Sequence, residues 1–149
     1  MSLSFRTARH EDVPAIVALL VDDPISASRT AVPGLDYDSA FAAIDADPGN
    51  ELIVVESDGE IVGTMQLTFI PGLSRRGAVR LQVEAVRVAS RHRSQGIGRK
   101  MMEWAAERAR ERGCGMIQLT SDKARTDAHR FYASLGYEAS HEGFKLLLS

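Results

Sequence analysis

The chain has 149 residues, a formal net charge of −2, 44% hydrophobic residues and 26% charged ones, a globular mixture sized for one domain over 1–149. No apolar run approaches the roughly 20 residues of a membrane span, and no basic segment precedes an apolar stretch at the N-terminus, as a secretory signal would require. A single cysteine, Cys114, excludes an internal disulfide and a cysteine-rich zinc site, so a cytoplasmic protein with no membrane partner is expected.

Residues 3–7 alternate and read as a short strand. Glu11, Asp12 and Pro14 mark a helix start, and Ile16, Val17, Leu19 and Leu20 carry that helix to about Asp22. Pro24, Pro33 and Gly34 make 23–36 a loop. Tyr37, Ala40, Phe41 and Ile44 have helical spacing over 37–46, ended by Pro48-Gly49. A strand over 52–56, the turn Asp58-Gly59 and a second strand over 60–70 read as a hairpin. The loop 71–77 interrupts the sheet before a long strand over 78–89. A helix over 96–112 places Ile97, Met101, Ala105 and Ala109 on one face, with Met102 and Trp104 beside them, and Gly113 caps it. Residues 116–120 form a short buried strand, 126–135 a helix stopped by Gly136, and Tyr137 and 144–148 fall in closing strands.

The order β-α-α-β-β-β-α-β-α-β implies an α+β (mixed α/β) fold, a mostly antiparallel mixed sheet of about six or seven strands flanked by about four helices. One parallel crossover runs from strand 78–89 through helix 96–112 to strand 116–120. Ligands bind beyond the carboxyl ends of parallel strands. That brings 93–98 and the end of the strand bearing Glu84 to one site.

Charge is unevenly spread. Residues 1–60 hold twelve acids and three bases (−9), whereas 61–149 hold eight acids and fifteen bases (+7). The C-terminal portion is built to meet an anion, but an isoelectric point near 6.1 argues against a general nucleic-acid binder. Mixed signs at Glu103, Glu107, Arg108, Arg110, Glu111 and Arg112 are those of a solvated helix face.

The stretch Arg93, Ser94, Gln95, Gly96, Ile97, Gly98 lies between an apolar strand and an amphipathic helix. Its glycines let a ligand approach the backbone, and amides from Gln95 onward sit at a helix N-terminus, which favours a phosphate. The spacing R-x-x-G-x-G, with Val86, Arg87, Val88, Ala89 and Ser90 just upstream, resembles the acetyl-CoA signature of the GNAT family of N-acetyltransferases. The stretch around Ala128, Tyr132, Gly136 and Tyr137 matches a second family pattern, A-x-x-x-Y-x-x-x-G-[FY], and the order of elements matches over essentially the whole chain.

The resemblance implies transfer of acetyl from acetyl-CoA to an amine by direct attack in a ternary complex. It assigns the pyrophosphate to the backbone of Arg93, Ser94, Gln95, Gly96, Ile97 and Gly98, with Arg99 at the next turn. It assigns the thioester carbonyl to backbone groups of Val86, Arg87 and Val88, on a strand that commonly carries a bulge in the family. Across a bulge the two-residue alternation fails, so the face taken by Arg87 stays open. Tyr132 matches the tyrosine that protonates the departing thiolate, an apt role for a phenol with a pKa of about 10. Where many relatives carry asparagine, seven residues earlier, this chain has Arg125, a candidate contact to phosphate or pantetheine instead.

Glu84 is the candidate base. It is the only acid between residues 61 and 102, in an arginine-rich segment. It either deprotonates or holds the ammonium, or it pairs with Arg80 or another neighbouring arginine. His129 is a weaker base candidate. His10, His92 and His141 show no metal-ligand spacing, and no metal is expected. Cys114 reads as a small, partly buried residue. Asp22, Asp23, Asp36 and Asp38 suit a cationic acceptor, whereas Arg75 and Arg76 suit a carboxylate or phosphate on it. A small-molecule amine is the leading acceptor. The alternatives are a protein N-terminus or lysine, or a sensor that binds acyl-CoA without turnover; a nucleic-acid partner is not expected. The resemblance also allows a monomer or a homodimer, the latter paired through the apolar end 144–148.

Overall fold

The apolar alternation of five segments resolves into one mixed sheet. The computed structural model describes residues 2–23, 25 and 36–148, so the loop expected over 23–36 lies largely outside the described residues. Contacts divide the chain into two units, Met1–Gln118 and Leu119–Ser149.

The first unit contains β1 (Ser4–Thr7), α1 (Val13–Val21), α2 (Tyr37–Ala46), β2 (Asn50–Ser57), β3 (Glu60–Ile70), β4 (Val79–Val88), α3 (Ile97–Glu111) and β5 (Cys114–Gln118). The sheet order is β1-β2-β3-β4-β5. The first three pairings are antiparallel and β4–β5 is parallel, with α3 as the crossover. Asp58 and Gly59 both take positive φ, 51° and 76°, as the favoured two-residue hairpin turn requires.

Side chains alternate across the sheet and so divide its two faces. On one face α3 buries Ile97, Met101, Met102, Ala105 and Ala109. Trp104 stacks on Phe5 at 5.2 Å between ring centroids. At the far end of the helix the Arg112 guanidinium lies 4.0 Å from the Phe69 ring centroid. The approach of α3 needs Gly63, where a Cβ would lie 3.1 Å from Met101 Sδ and 3.2 Å from the Arg87 carbonyl oxygen. On the other face α1 and α2 pack Val13, Ile16 and Phe41 against Val54 and Ala8. Each of the larger of these side chains, fully buried, contributes roughly 1.5–3 kcal/mol. A polar clamp fixes the start of α1. Arg6 donates to both Asp12 carboxylate oxygens at 2.7 and 2.9 Å and to Glu56 at 2.5 Å. Asp12 is held below the usual carboxylate range, first by Arg6 and also by the Arg9 amide.

The second unit contains α4 (Thr126–Ser134). Here the sequence expectation fails in one respect. Among the described residues no strand follows Gln118, so the sheet has five strands rather than six or seven. Residues 137–148 form neither helix nor strand, and Phe144, Leu146, Leu147 and Leu148 are 90, 85, 91 and 89% exposed. An apolar run becomes a strand only where another strand offers it a ladder of backbone partners, and the second unit by itself has none.

Candidate functional site

β4 carries the site's geometry. In its pairing with β3, Thr64 stands opposite Arg87 and Gln66 opposite Glu84, so two residues of β4, Ala85 and Val86, face the single Met65 of β3. This is a β-bulge, as the family resemblance implied. Its extra residue is accommodated by Ala85 at φ 55°, a left-handed conformation that costs an alanine about 1–2 kcal/mol. The parallel pairing with β5 ends at Gln82 opposite Gln118. Beyond that point residues 83–88 of β4 have no strand on their β5 side among the described residues. Two carbonyls in this stretch are engaged: Val86 accepts from Arg87 Nη1 at 2.9 Å and Val88 from Arg93 Nε at 3.3 Å.

Thr64 and Gln66 share a face, so their partners Arg87 and Glu84 share it too. Arg87 is paired with Asp23, Nη2 to Oδ2 at 3.2 Å, and the two side chains are only 13 and 10% exposed. Glu84 is exposed. Its carboxylate has no hydrogen bond or ion pair among the described residues, so the expected alternative, a pair with Arg80 or another neighbouring arginine, is not seen among them. Sequence reading missed Asp23 as the partner of Arg87, because it stood 64 positions away in a stretch read as loop.

After β4 the turn Ser90–His92 leads into 93–98. Ser94 and Gly96 take positive φ, 64° and 79°, and Gly96 is the N-cap of α3. Among the described residues no side chain caps this helix. Lys100 N–H donates to the Gly96 carbonyl at 3.2 Å, opening the helical ladder and leaving the amides of Ile97, Gly98 and Arg99 without intrahelical acceptors. A Cβ at Gly96 would meet nothing within 4 Å, so the backbone here is open to close approach. Arg93, Ser94, Gln95, Gly96 and Arg99 are exposed, Gly98 is half-buried, and Ile97 points into the core. Arg93 folds back, with Nη2 donating to the Asp22 carbonyl at 3.4 Å, while Ser90 Oγ donates to Asp22 Oδ2 at 2.6 Å. Ends of β4, α1 and the loop are thereby tied together. The donor set fits a phosphate-bearing ligand: free helix amides, a glycine without steric cover, and an exposed guanidinium at Arg99.

Cys114 is half-buried at the start of β5, and burial pushes its thiol pKa up, which disfavours a thiolate nucleophile.

In the second unit, half-buried Tyr132 lies in the last turn of α4. Gly136 at φ 95° closes that helix. Tyr137 N–H donates to the Tyr132 carbonyl and Gly136 N–H to the Ala133 carbonyl, at 3.1 and 3.0 Å. This is the Schellman arrangement, which typically brings the side chains three residues before and two after the cap position together. The Tyr132 and Tyr137 rings do meet, 5.8 Å apart. Burial, and secondarily Tyr132, push the Tyr137 phenol pKa up. Arg125 is the N-cap residue of α4. Exposed His129 directs Nε2 at the Asp122 carbonyl at 2.9 Å, which occupies one of the two ring nitrogens.

Comparison with known proteins places these features in a family. The model of the acetyltransferase (GNAT) family matches residues 13–137. The chain is 31% identical over 142 residues to an aminoalkylphosphonate N-acetyltransferase of Salmonella typhimurium, covering 93% of this chain and 87% of that one. It is 30% identical over 124 residues to a streptothricin acetyltransferase of Streptomyces lavendulae, covering 83% and 58%. Among solved structures, a Bacillus halodurans C-125 protein described as a transcriptional regulator superposes with a TM-score of 0.92 at 45% identity, over 99% of this chain and 100% of that one. A Trypanosoma brucei acetyltransferase gives 0.79 at 25% identity, over 99% and 100%.

Proposed function

The chain belongs to the GNAT family of acetyltransferases, and from that premise we propose that it acetylates the primary amine of a small molecule at the open end of β4. The observation that carries this reading is the conjunction, among the described residues, of an α3 N-terminus behind Gly96 that no side chain caps with a Glu84 carboxylate that no side chain pairs, on the bulged strand leading to it. Acetyl-CoA, the co-substrate of the family, supplies an acetyl group activated as a thioester. The amides of Ile97, Gly98 and Arg99, with the Arg99 guanidinium, would hold its phosphates. Backbone N–H groups of Val86, Arg87 and Val88 are candidates to stabilise charge gathering on the carbonyl oxygen.

Glu84 attracts the ammonium form of the acceptor and takes its proton, directly or through a water, so that the nitrogen can attack. The Tyr132 phenol is the proton donor to the departing sulfur, the role the family resemblance gives it. Two relatives bear the names of small-molecule acceptors, an aminoalkylphosphonate and streptothricin, and this favours a small acceptor here.

The test is free-thiol release from acetyl-CoA across polyamines, aminosugars, amino acids, aminoglycosides and short peptides. Release with one small-molecule group supports the reading; release with peptides alone overturns the acceptor assignment. A second reading, an acyl-CoA sensor, is favoured by the description of the Bacillus halodurans structure as a transcriptional regulator. It predicts acetyl-CoA binding with no thiol release on any amine.

A further inference from the structure

Between α1, α2 and the sheet lies a cavity of about 170 Å³. Its walls include Val17, Leu20, Phe41 and Leu52, and its edge on β3 and β4 is formed by Thr64, Gln66 and Ala85. No described lining residue is charged. Ala85 is the left-handed residue of the bulge and directly follows Glu84, which stands opposite Gln66. An apolar chamber thus opens beside the one acid of β4, and that acid is unpaired among the described residues. We infer that the acceptor is a primary amine with a compact, uncharged hydrocarbon body, no larger than about one benzene-sized ring, seated in this chamber with its ammonium at Glu84. The inference rests on the acetyltransferase reading for its turnover but not for its binding.

Three acceptor chemistries compete, and the lining separates them. A hydrocarbon body gains about fourfold in binding for each methylene taken out of water. An aminosugar would bring several hydroxyls against Val17, Leu20 and Phe41, where the polar side chains of the described lining are Tyr37, Gln66 and a Thr64 hydroxyl already donated to the Ile53 carbonyl, too few to replace the water lost. An amine bearing a phosphonate or carboxylate would bury a second charge with no cation in the described lining. Arg87, which stands opposite lining residue Thr64, is already engaged by Asp23. The size limit follows from the volume, since an apolar void of about 150 Å³ holds a single benzene.

The experiment is a series of unbranched primary alkylamines from methyl to octyl, with cyclohexylamine, glucosamine and 2-aminoethylphosphonate, assayed by thiol release from acetyl-CoA. The expected result is a kcat/KM rising about fourfold per methylene and levelling near the volume of a six-carbon chain. Cyclohexylamine should exceed glucosamine and the phosphonate by at least about a hundredfold, the product of several such steps. Ala40→Phe, an exposed α2 position lining the cavity, should flatten the series, lowering hexylamine more than methylamine. A flat wild-type series, or preference for the sugar or phosphonate, overturns this inference and leaves the transferase reading standing. Silence with every amine of this series removes turnover as the readout and leaves the transferase reading to its own wider panel. In that case calorimetry with hexylamine alone decides: binding weakened by Ala40→Phe upholds the chamber's assignment, and absence of binding overturns it.

Discussion

Two glycines flank α3, and replacing each by alanine tests where the phosphates lie. Gly96 and Gly113 both adopt left-handed backbone, φ 79° and 72°, and at both a Cβ would meet nothing within 4 Å. Neither substitution creates a clash in the protein, so each costs the same conformational penalty, about 1–2 kcal/mol. For a chain of this size that lowers Tm by about 2–8 °C. The two sites differ in which end of the helix they occupy, and about 22 Å of helix separates them, far enough to act independently. At Gly96 the new methyl group stands where a phosphate would approach the amides of Ile97, Gly98 and Arg99. Losing one charge-assisted hydrogen bond costs about 1.5–3 kcal/mol, which is about a ten- to hundredfold rise in Kd for acetyl-CoA. Calorimetric titration with acetyl-CoA, beside thermal unfolding of both variants, reads the two effects. Similar Tm losses with a Kd raised only in Gly96→Ala are expected. Equal Kd values in the two variants would refute the placement of phosphates against Gly96.

Tyr132→Phe should lower kcat by about a hundredfold or more and leave the Kd for acetyl-CoA unchanged; unchanged turnover would move the acid elsewhere. Tyr137→Ala removes the ring packed 5.8 Å from Tyr132 and should lower kcat, whereas Tyr137→Phe keeps the packing and should restore most of it. Equal rates in both variants would show that Tyr137 does not position Tyr132. Asp12→Asn leaves the Arg6 guanidinium with a weaker partner in a largely buried clamp and should cost about 2–3 kcal/mol of stability, read by denaturant unfolding. Because the folded pKa of Asp12 lies below its unfolded value, its stabilisation is complete above the ordinary carboxylate pKa of about 4. It is lost as pH falls through the lower folded value, and Asp12→Asn should flatten that part of the pH–stability curve.

The elements that were legible in the sequence are those whose signals are local. The first helix ends at Val21 and the second spans Tyr37–Ala46, as their caps and periodicity indicate, and Asp58-Gly59 makes the hairpin turn it encodes. Gly113 and Gly136 close their helices at left-handed φ for the reason that made them readable, since other residues pay a steric penalty there. The end of the chain was not legible in this way. Apolar residues at 144–148 specify hydrophobicity but not a partner, and a strand is defined by its partner.

The site itself was legible as a set of residues but not as a set of faces. By simple alternation Glu84 and Arg87 fall on opposite sides of β4, and a carboxylate amid arginines reads as one half of an ion pair. The extra residue at the bulge reverses that parity and brings both onto the face of Thr64 and Gln66. Once on the same face, the two charges could have neutralised each other. Arg87 instead pairs with Asp23 at the end of α1, in a buried contact. Glu84 is left exposed without a counter-ion among the described residues, beside an uncharged chamber. Among the described residues, this part of the surface therefore presents an unpaired negative charge where the sequence, rich in arginine, promised positive ones. A cation is the complement of that charge, and an amine acceptor arrives at neutral pH as one. On the proposed reading, the bulge would thus also favour a cationic acceptor, through the single residue by which it shifts the β3–β4 register.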